Sequence, residues 1–438
     1  MHHAAPRSPS PAAAGFPLLG RRDVLRGLLL AGGALALPGL AACGSGGSGG
    51  DPNTVTFGSN YSDEVPRQAI AATMQAFEQR TGLKVAINTK DHNTYQEQIN
   101  NYLQGRPDDV FAWFAGYRMR HFAARGLATD ISDVWQQVGG DFSQSLREAS
   151  TGLDGRQYLI PFYYYPWAVF YRRSVWKQRG YTPPRTLDEF VALAERMRAD
   201  GLIPIAFGQK DGWPAMGTFD YLDLRINGYE FHMNLLAGRE DWQGPQVRQV
   251  FDTWRRLLPL HQENALGRTW QEAAQTLQQG RAGMYLLGTF VAEQFTDDRD
   301  DLDFFPFPEI NPEHGRDTVE APIDGFMLSR RPANPDGARR LLTFLAGPEA
   351  QLAYLRSNPT NIAATSKAGT SGYNALQRKS VELIQSAAHV TQFLDRDTNP
   401  TFASDAMTNG INAFLRNPDD VDSVLRGLAD QAKSIFVE

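Results

Sequence analysis

The chain has almost no cysteine: one residue, Cys43, in 438. A single thiol excludes an internal disulfide framework and a cysteine-based zinc cluster. The 8 histidines are scattered, and none falls in a His-x-x-x-His or His-Glu-x-x-His spacing that would hold zinc. Residues 297–303 are dense in carboxylates but lack the glycine and terminal glutamate of a calcium loop, so they read as an exposed loop. No metal is therefore expected. The chain also lacks a long apolar run: residues 28–40 fall short of the roughly 18–20 apolar residues of a membrane-spanning helix. Charge of one sign is missing too, since 43 Lys and Arg stand against 49 Asp and Glu for a net charge of −6. With no basic stripe, nucleic acid is not an expected partner.

What is present begins at the N-terminus. Arg21-Arg22-Asp23-Val24-Leu25-Arg26 forms a charged region with a twin arginine, residues 28–40 an apolar region, and Ala41-Ala42 a pair of small residues before a cleavage point. Residues 1–42 thus read as an export signal. Cys43, directly after Leu40-Ala41-Ala42, resembles the acceptor of a bacterial lipoprotein box, so its thiol is expected to carry a diacylglyceryl anchor. Residues 43–51, mostly Gly and Ser, read as a flexible tether. Within it, Gly44, Gly46 and Gly49 match a dinucleotide-binding spacing, and Gly46 to Gly50 match a nucleophile elbow around Ser48. Neither follows a strand nor opens a helix, and both mechanisms need that context. The expected location is outside the cell interior, on the outer face of a bacterial cytoplasmic membrane.

From Val55 onward strand and helix patterns alternate. Residues 55–57 read as a strand. Residues 66–80 read as an amphipathic helix with Ile70, Met74 and Phe77 on one face and Gly82 as its stop. Leu83, Val85 and Ile87 mark a second strand, Tyr95, Ile99 and Tyr102 a second helix, and residues 109–114 a third, apolar strand. This βαβαβ order predicts a largely parallel sheet covered by helices. After a Pro-aromatic stretch over residues 161–167, a second α/β unit is expected: a strand at 168–171, a capping box at Thr186 and Glu189 opening a helix that stops near Gly201, and a strand at 203–207. A mostly helical region follows. Two such units predict two lobes with a cleft between them, where ligands are often held.

Three segments carry a family resemblance. Residues 181–190, around Pro184, Thr186, Leu187 and Glu189, resemble a "P-x-T-[WL]-x-E-[FL]" segment. Residues 279–284 resemble "G-[KR]-x-[AG]-M", and residues 338–351 a helix pair with "F-L-x-x-P-E-x-Q". In this order they resemble the extracellular solute-binding proteins of bacterial carbohydrate ABC importers. The resemblance implies an α/β protein with the two-lobe periplasmic-binding-protein type II fold, its hinge and interlobe cleft. It implies no catalytic activity, no required cofactor, a carbohydrate ligand, a transmembrane permease as partner, and a monomer. The crossings between lobes are expected near residues 162–165, 322–325 and 359–363. That assigns 52–163 with 324–358 to one lobe and 164–323 with 359–438 to the other.

A sugar ring presents polar edges and an apolar face, so its site pairs aromatic platforms with carboxylates, amides and arginines. The candidates are Asn60 and Tyr61 after the first strand; Trp113 and Gly116 after the third; Tyr165 and Trp167 at the first crossing; Trp213, Asp220, Arg225 and Asn227 in the second lobe; Asp324 and Gly325 at the second crossing; and Arg396 in the Asp395-Arg396-Asp397 cluster. Each has a plainer reading. Trp113, Trp213, Trp167 and Tyr165 also suit a core, Asp324 a turn cap, Arg225 a salt bridge, and the 395–397 cluster a solvated loop. Two other functions remain open: a receptor for a charged solute such as a polyamine, and an exported glycoside-acting enzyme.

Overall fold

A computed structural model describes residues 51–436. The expected export signal, Cys43 and nearly all of the tether lie outside these residues. Among the described residues no helix is long and apolar enough to cross a membrane.

The strands are β1 (Thr54–Ser59), β2 (Lys84–Thr89), β3 (Val110–Phe114), β4 (Ala128–Thr129), β5 (Leu159–Tyr164), β6 (Trp167–Arg172), β7 (Ile203–Ile205), β8 (Ala282–Gly288), β9 (Leu302–Phe305), β10 (Thr318–Glu320), β11 (Ile323–Ser329), β12 (Ile362–Ala363) and β13 (His389–Thr391). Seven of them form one sheet in the order β12-β5-β11-β3-β1-β2, with β4 also on β11. The expected βαβαβ unit is its parallel part: β1 pairs in parallel with β2 and β3, through α1 (Glu64–Thr81) and α2 (His92–Gln104). Every residue of β3 is buried, as a continuous apolar run requires when both faces of a sheet are covered. On α1 the inward face carries Ile70, Met74 and Phe77. Gly82, at φ 75°, ends the helix by donating its N–H to the carbonyl of Glu78 at 2.9 Å. The segment resembling a family helix pair is indeed two helices, Pro335–Ala346 and Pro348–Ser357, and the second packs on α1.

Strands β7-β8-β6-β9 make the second large sheet, and β10 pairs with β13 in a small parallel ladder. The expected capping box is present: Thr186 Oγ1 accepts from the N–H of Glu189, whose carboxylate accepts in turn from the Thr186 N–H, opening the helix Leu187–Ala199. The chain passes from the first sheet to the second through Tyr165-Pro166, between β5 and β6, and returns through Ala321-Pro322, between β10 and β11. Residues 362–363, expected with the second lobe, instead extend the first sheet, because β12 pairs antiparallel with Tyr163 and Tyr164 of β5. The last passage therefore lies beyond Ala363. Two α/β lobes result, one built on each large sheet.

Candidate functional site

A cavity of about 250 Å³ opens where the ends of the first sheet face the second lobe. The first lobe contributes Asn60 and Tyr61 from the loop after β1, His92, Asn93 and Gln96 from the first turns of α2, and Tyr163 and Asp324 from the ends of β5 and β11. The second lobe contributes Asp211 and Trp213 from the loop after β7, Trp270 from the start of the helix Trp270–Gln278, Phe290 and Glu293 after β8, and the segment Phe393 to Arg396. Tyr165 and Trp167 sit at the passage between lobes.

One wall is aromatic. Trp167 stacks on Phe393 with centroids 4.6 Å apart at 25°, and Trp213 meets Trp167, Phe290 and Phe393 edge to face at 6.2, 6.0 and 6.1 Å. Trp270 stands edge-on to Phe290 at 5.0 Å. Trp167 can lie flat on the helix Met216–Ile226 because position 217 is glycine: a Cβ there would stand 2.4 Å from the indole. Trp213 is half-buried, and its Nε1 has no protein partner.

Polar groups complete the lining. Arg396 donates to Asp324 Oδ2 at 2.9 Å and to the Tyr165 hydroxyl at 3.1 Å, and its guanidinium lies 4.0 Å from the Phe114 ring centroid. Burial opposes that charge, yet Asp324, Tyr165 and Asp395 around it hold the guanidinium above its usual range. Burial likewise raises three of the carboxyls. Glu293, accepting from Asn358 Nδ2 at 2.8 Å, is pushed up to about 8; Asp63, with Asp91 and Asp211 nearby, is raised; and Asp324 is raised, with Arg396 pulling the other way. Burial and then the Arg396 charge lower His92 to about 4, so it is neutral at pH 7. Glu293, protonated at pH 7, both donates and accepts, so the lining presents mixed donors and acceptors in addition to the fixed Arg396 cation.

Of the candidates named from sequence, Asn60, Tyr61, Tyr165, Trp167, Trp213, Asp324 and Arg396 line this cavity. The others stand elsewhere. Trp113 lies within β3, 1% exposed, packed against Tyr95, Phe114 and Phe122. Gly325, also in a strand, pairs with Trp113 and Pro161. Gly116 backs Gln392 and Asp397. Asp220 Oδ2 accepts from the N–H of Leu394 at 2.8 Å, holding from behind the segment that carries Phe393 and Arg396. Arg225 donates to the carbonyls of Phe307 and Thr318, and Asn227 to Asp223. The Asp395-Arg396 cluster is buried, because Arg118 donates to Asp395 Oδ2 at 3.3 Å while Asp324 pairs Arg396. Sequence reasoning missed His92, Asn93, Gln96, Asp211, Trp270, Phe290, Glu293 and Phe393. Only Trp270 carried a signal, a tryptophan directly after the capping threonine Thr269.

Comparison with known proteins adds to this geometry. The model of the family described as "Bacterial extracellular solute-binding protein" matches residues 61–352. An uncharacterised ABC transporter extracellular-binding protein of Pyrococcus horikoshii is 24% identical over 65% of this chain, and the match spans 64% of that protein, just under two thirds. Among solved structures, the bacterial solute receptor AcbH, described as having an exclusive preference for β-D-galactopyranose, is 46% identical. It superposes with a TM-score of 0.86 over 88% of this chain and 99% of that one. A chitin oligosaccharide binding protein, 20% identical, shares the fold with a TM-score of 0.79 over 87% of this chain and 99% of its own. The two-lobe type II architecture expected from sequence is thus the one observed.

Proposed function

Because the chain belongs to the bacterial extracellular solute-binding protein family, we propose that it is the sugar receptor of an ABC importer, closing its lobes on a sugar and handing it to a membrane permease. The observation that carries this reading is the cavity between the lobes, whose lining combines the indoles of Trp167, Trp213 and Trp270 with Arg396, Asp324 and Glu293. An indole covers the C–H face of a pyranose while carboxyl, amide and guanidinium groups saturate its hydroxyls. The ligand-contacting residues in this reading are Asn60, Tyr61, Tyr165, Trp167, Trp213, Asp324 and Arg396. The likeness to AcbH makes β-D-galactopyranose the first candidate ligand. We assign the protein no catalytic role, and read it as a monomer. Its export by the twin arginine and its anchoring through Cys43 rest on the sequence alone.

Calorimetric titration of the purified mature protein with a panel of mono- and oligosaccharides, D-galactose first and spermidine as the charged control, tests the reading. Saturable sugar binding with the sugars recovered intact is the expected result. Binding of spermidine alone would favour the polyamine reading, and release of hydrolysis products would favour the enzyme.

A further inference from the structure

Behind the segment that carries Phe393 and Arg396 lies a group of acids and one histidine closed off from solvent. Asp220 and Asp223 come from the helix Met216–Ile226, His232 from the helix Gly228–Leu236, and Glu320 from the end of β10, directly before the Ala321-Pro322 passage between the lobes; all are fully buried. One end of the group is fixed. His232 Nδ1 stands 2.8 Å from Asp223 Oδ2, and Asp223 Oδ1 accepts from Asn227 Nδ2 at 2.7 Å. The other end is not: His232 Nε2 and Asp220 Oδ1 stand 3.8 Å apart, and neither they nor the two carboxylate oxygens of Glu320 have a hydrogen-bond partner among the described residues. An ionised carboxylate left so in the interior is strongly unfavourable, and such groups persist by keeping a proton.

The surrounding charges act the same way. Glu320 is faced by Asp220, Asp395 and Asp397, with Arg396 opposing them; burial first, and then these like charges, raise its carboxyl well above the ordinary range. Burial also raises Asp220, joined by Asp223 and Asp395, against the pull of His232 and the Leu394 N–H. Burial opposes a charge on His232, but its bond to Asp223 and the nearby Asp220 and Asp397 outweigh it and raise the imidazole. From the first lobe, Arg118 pairs Asp395, and Arg120 acts on Asp397. The cluster meets the sugar cavity at two points. Asp220 Oδ2 accepts from the Leu394 N–H at 2.8 Å, between Phe393 and Arg396. Arg396 is shared, bonding Asp324 and Tyr165 on the cavity side while its charge also acts on Glu320 behind. Negative charge gained at Asp220 and Glu320 would therefore repel Asp395 and Asp397 of this segment and draw the guanidinium back from Asp324.

Resting on the sugar-capture reading above, we infer that sugar binding by this receptor is proton-linked: the cluster of Asp220, His232 and Glu320 holds protons when Phe393 and Arg396 present to the sugar, and affinity falls as rising pH empties it. The sign follows from linkage. Where the sugar-bound form needs the protonated cluster, binding takes up protons at any pH at which the free protein has begun to lose them, and affinity declines with pH. A neutral sugar brings no titrating group of its own. Glu293 is the competing source within the cavity, since it is pushed up to about 8, and the test removes it.

The test is calorimetric titration of the mature protein with D-galactose from about pH 6 to about pH 9. It is run on the natural chain, on Glu293→Gln, and on Glu293→Gln that also carries Asp220→Asn and Glu320→Gln, whose amides keep the carboxyl shape and cannot ionise. The first two should lose at least about ten-fold in affinity across that range, and the triple variant less than about two-fold. The natural chain and Glu293→Gln should also take up protons on binding at about pH 8, read by comparing phosphate with Tris buffer, whose ionisation heats differ; this measurement does not depend on the triple variant folding. Galactose binding that is flat with pH and takes up no proton would overturn the inference and leave sugar capture standing. A decline that disappears with Glu293→Gln alone would overturn it in favour of the cavity carboxyl, and a decline that survives in the triple variant would overturn the cluster as its source. No heat with galactose at any pH would remove the galactoside reading itself, and the inference with it.

Discussion

Trp213 and Trp113 make a matched experiment, because both were candidate platforms and the structure gives them opposite surroundings. Trp113 is 1% exposed inside β3 and touches Tyr95, Phe114 and Phe122, with no face toward the cavity. Truncation to alanine removes a buried indole from a covered sheet, which costs about 3–5 kcal/mol of stability. Trp213 is half-buried, and its packing in the free protein consists of edge-to-face contacts with Trp167, Phe290 and Phe393. Such contacts are worth about 0.5–1.5 kcal/mol each and are not fully additive, so Trp213→Ala should cost on the order of 1–3 kcal/mol of stability. Its larger effect should be on binding: loss of an aromatic hot spot costs about 2–4 kcal/mol, or roughly 30-fold to nearly 1,000-fold in affinity. Each variant is measured by denaturant titration and by calorimetry with the tightest sugar. Trp213→Ala with unchanged affinity would refute the platform. A Trp113→Ala protein of natural stability but weakened affinity would place the platform in β3 and refute the reasoning from burial.

Other outcomes follow from the same geometry. Asp324→Asn leaves the Arg396 guanidinium buried with only Asp395 at 3.9 Å for compensation, so stability should fall by up to about 3–5 kcal/mol; an unchanged denaturation midpoint would exclude a structural role for the pair. Glu293 holds its proton in the folded chain up to about pH 8 but releases it near 4.5 when unfolded, so its stabilising contribution is complete below about pH 4.5 and is lost as the pH rises to about 8. Glu293→Gln should flatten that part of a stability-against-pH profile, and superimposable profiles would show that the carboxyl is not raised. Cys43→Ser should release the protein from salt-washed membranes, and lysine at both Arg21 and Arg22 should block its export; retention of Cys43→Ser in the membrane would disprove the anchor.

The architecture was largely legible because its determinants are local. The alternation of β1 and β2, the inward face of α1, its Gly82 stop and the Thr186–Glu189 box each act within a few residues, and each appears where its pattern lies. The site was legible only where a single segment announced itself. The Trp213 loop and the aromatic passage at Tyr165 and Trp167 stood out as aromatics among glycine and proline. Trp113 misled because a continuous apolar strand over residues 109–114 is covered on both faces, so the indole is buried within the sheet and does not reach the cavity. Asp220 and Arg225 misled in another way: they are polar and central, but they satisfy backbone groups behind the site. The missed residues come from α2, from the loops after β7 and β8, from the start of the helix Trp270–Gln278 and from the segment before Arg396, all far apart in sequence. Nothing in a stretch such as His92-Asn93 tells which distant loop it will face, since that depends on how two sheets are set against each other.

The glycine under Trp167 has a consequence for how such a receptor could change its ligand. The floor of the cavity is an indole resting on bare helix backbone at Gly217, a residue that does not itself line the cavity. Even one methyl group at 217 forces the ring off the helix, and the room it then takes comes from Phe290, Phe393 and the cavity. The bore of the receptor is thus governed from outside it. A lineage could narrow or deepen its choice of sugar by changing position 217 while every ligand-facing side chain stayed the same, and two receptors with identical cavity walls would then differ in the guests they admit.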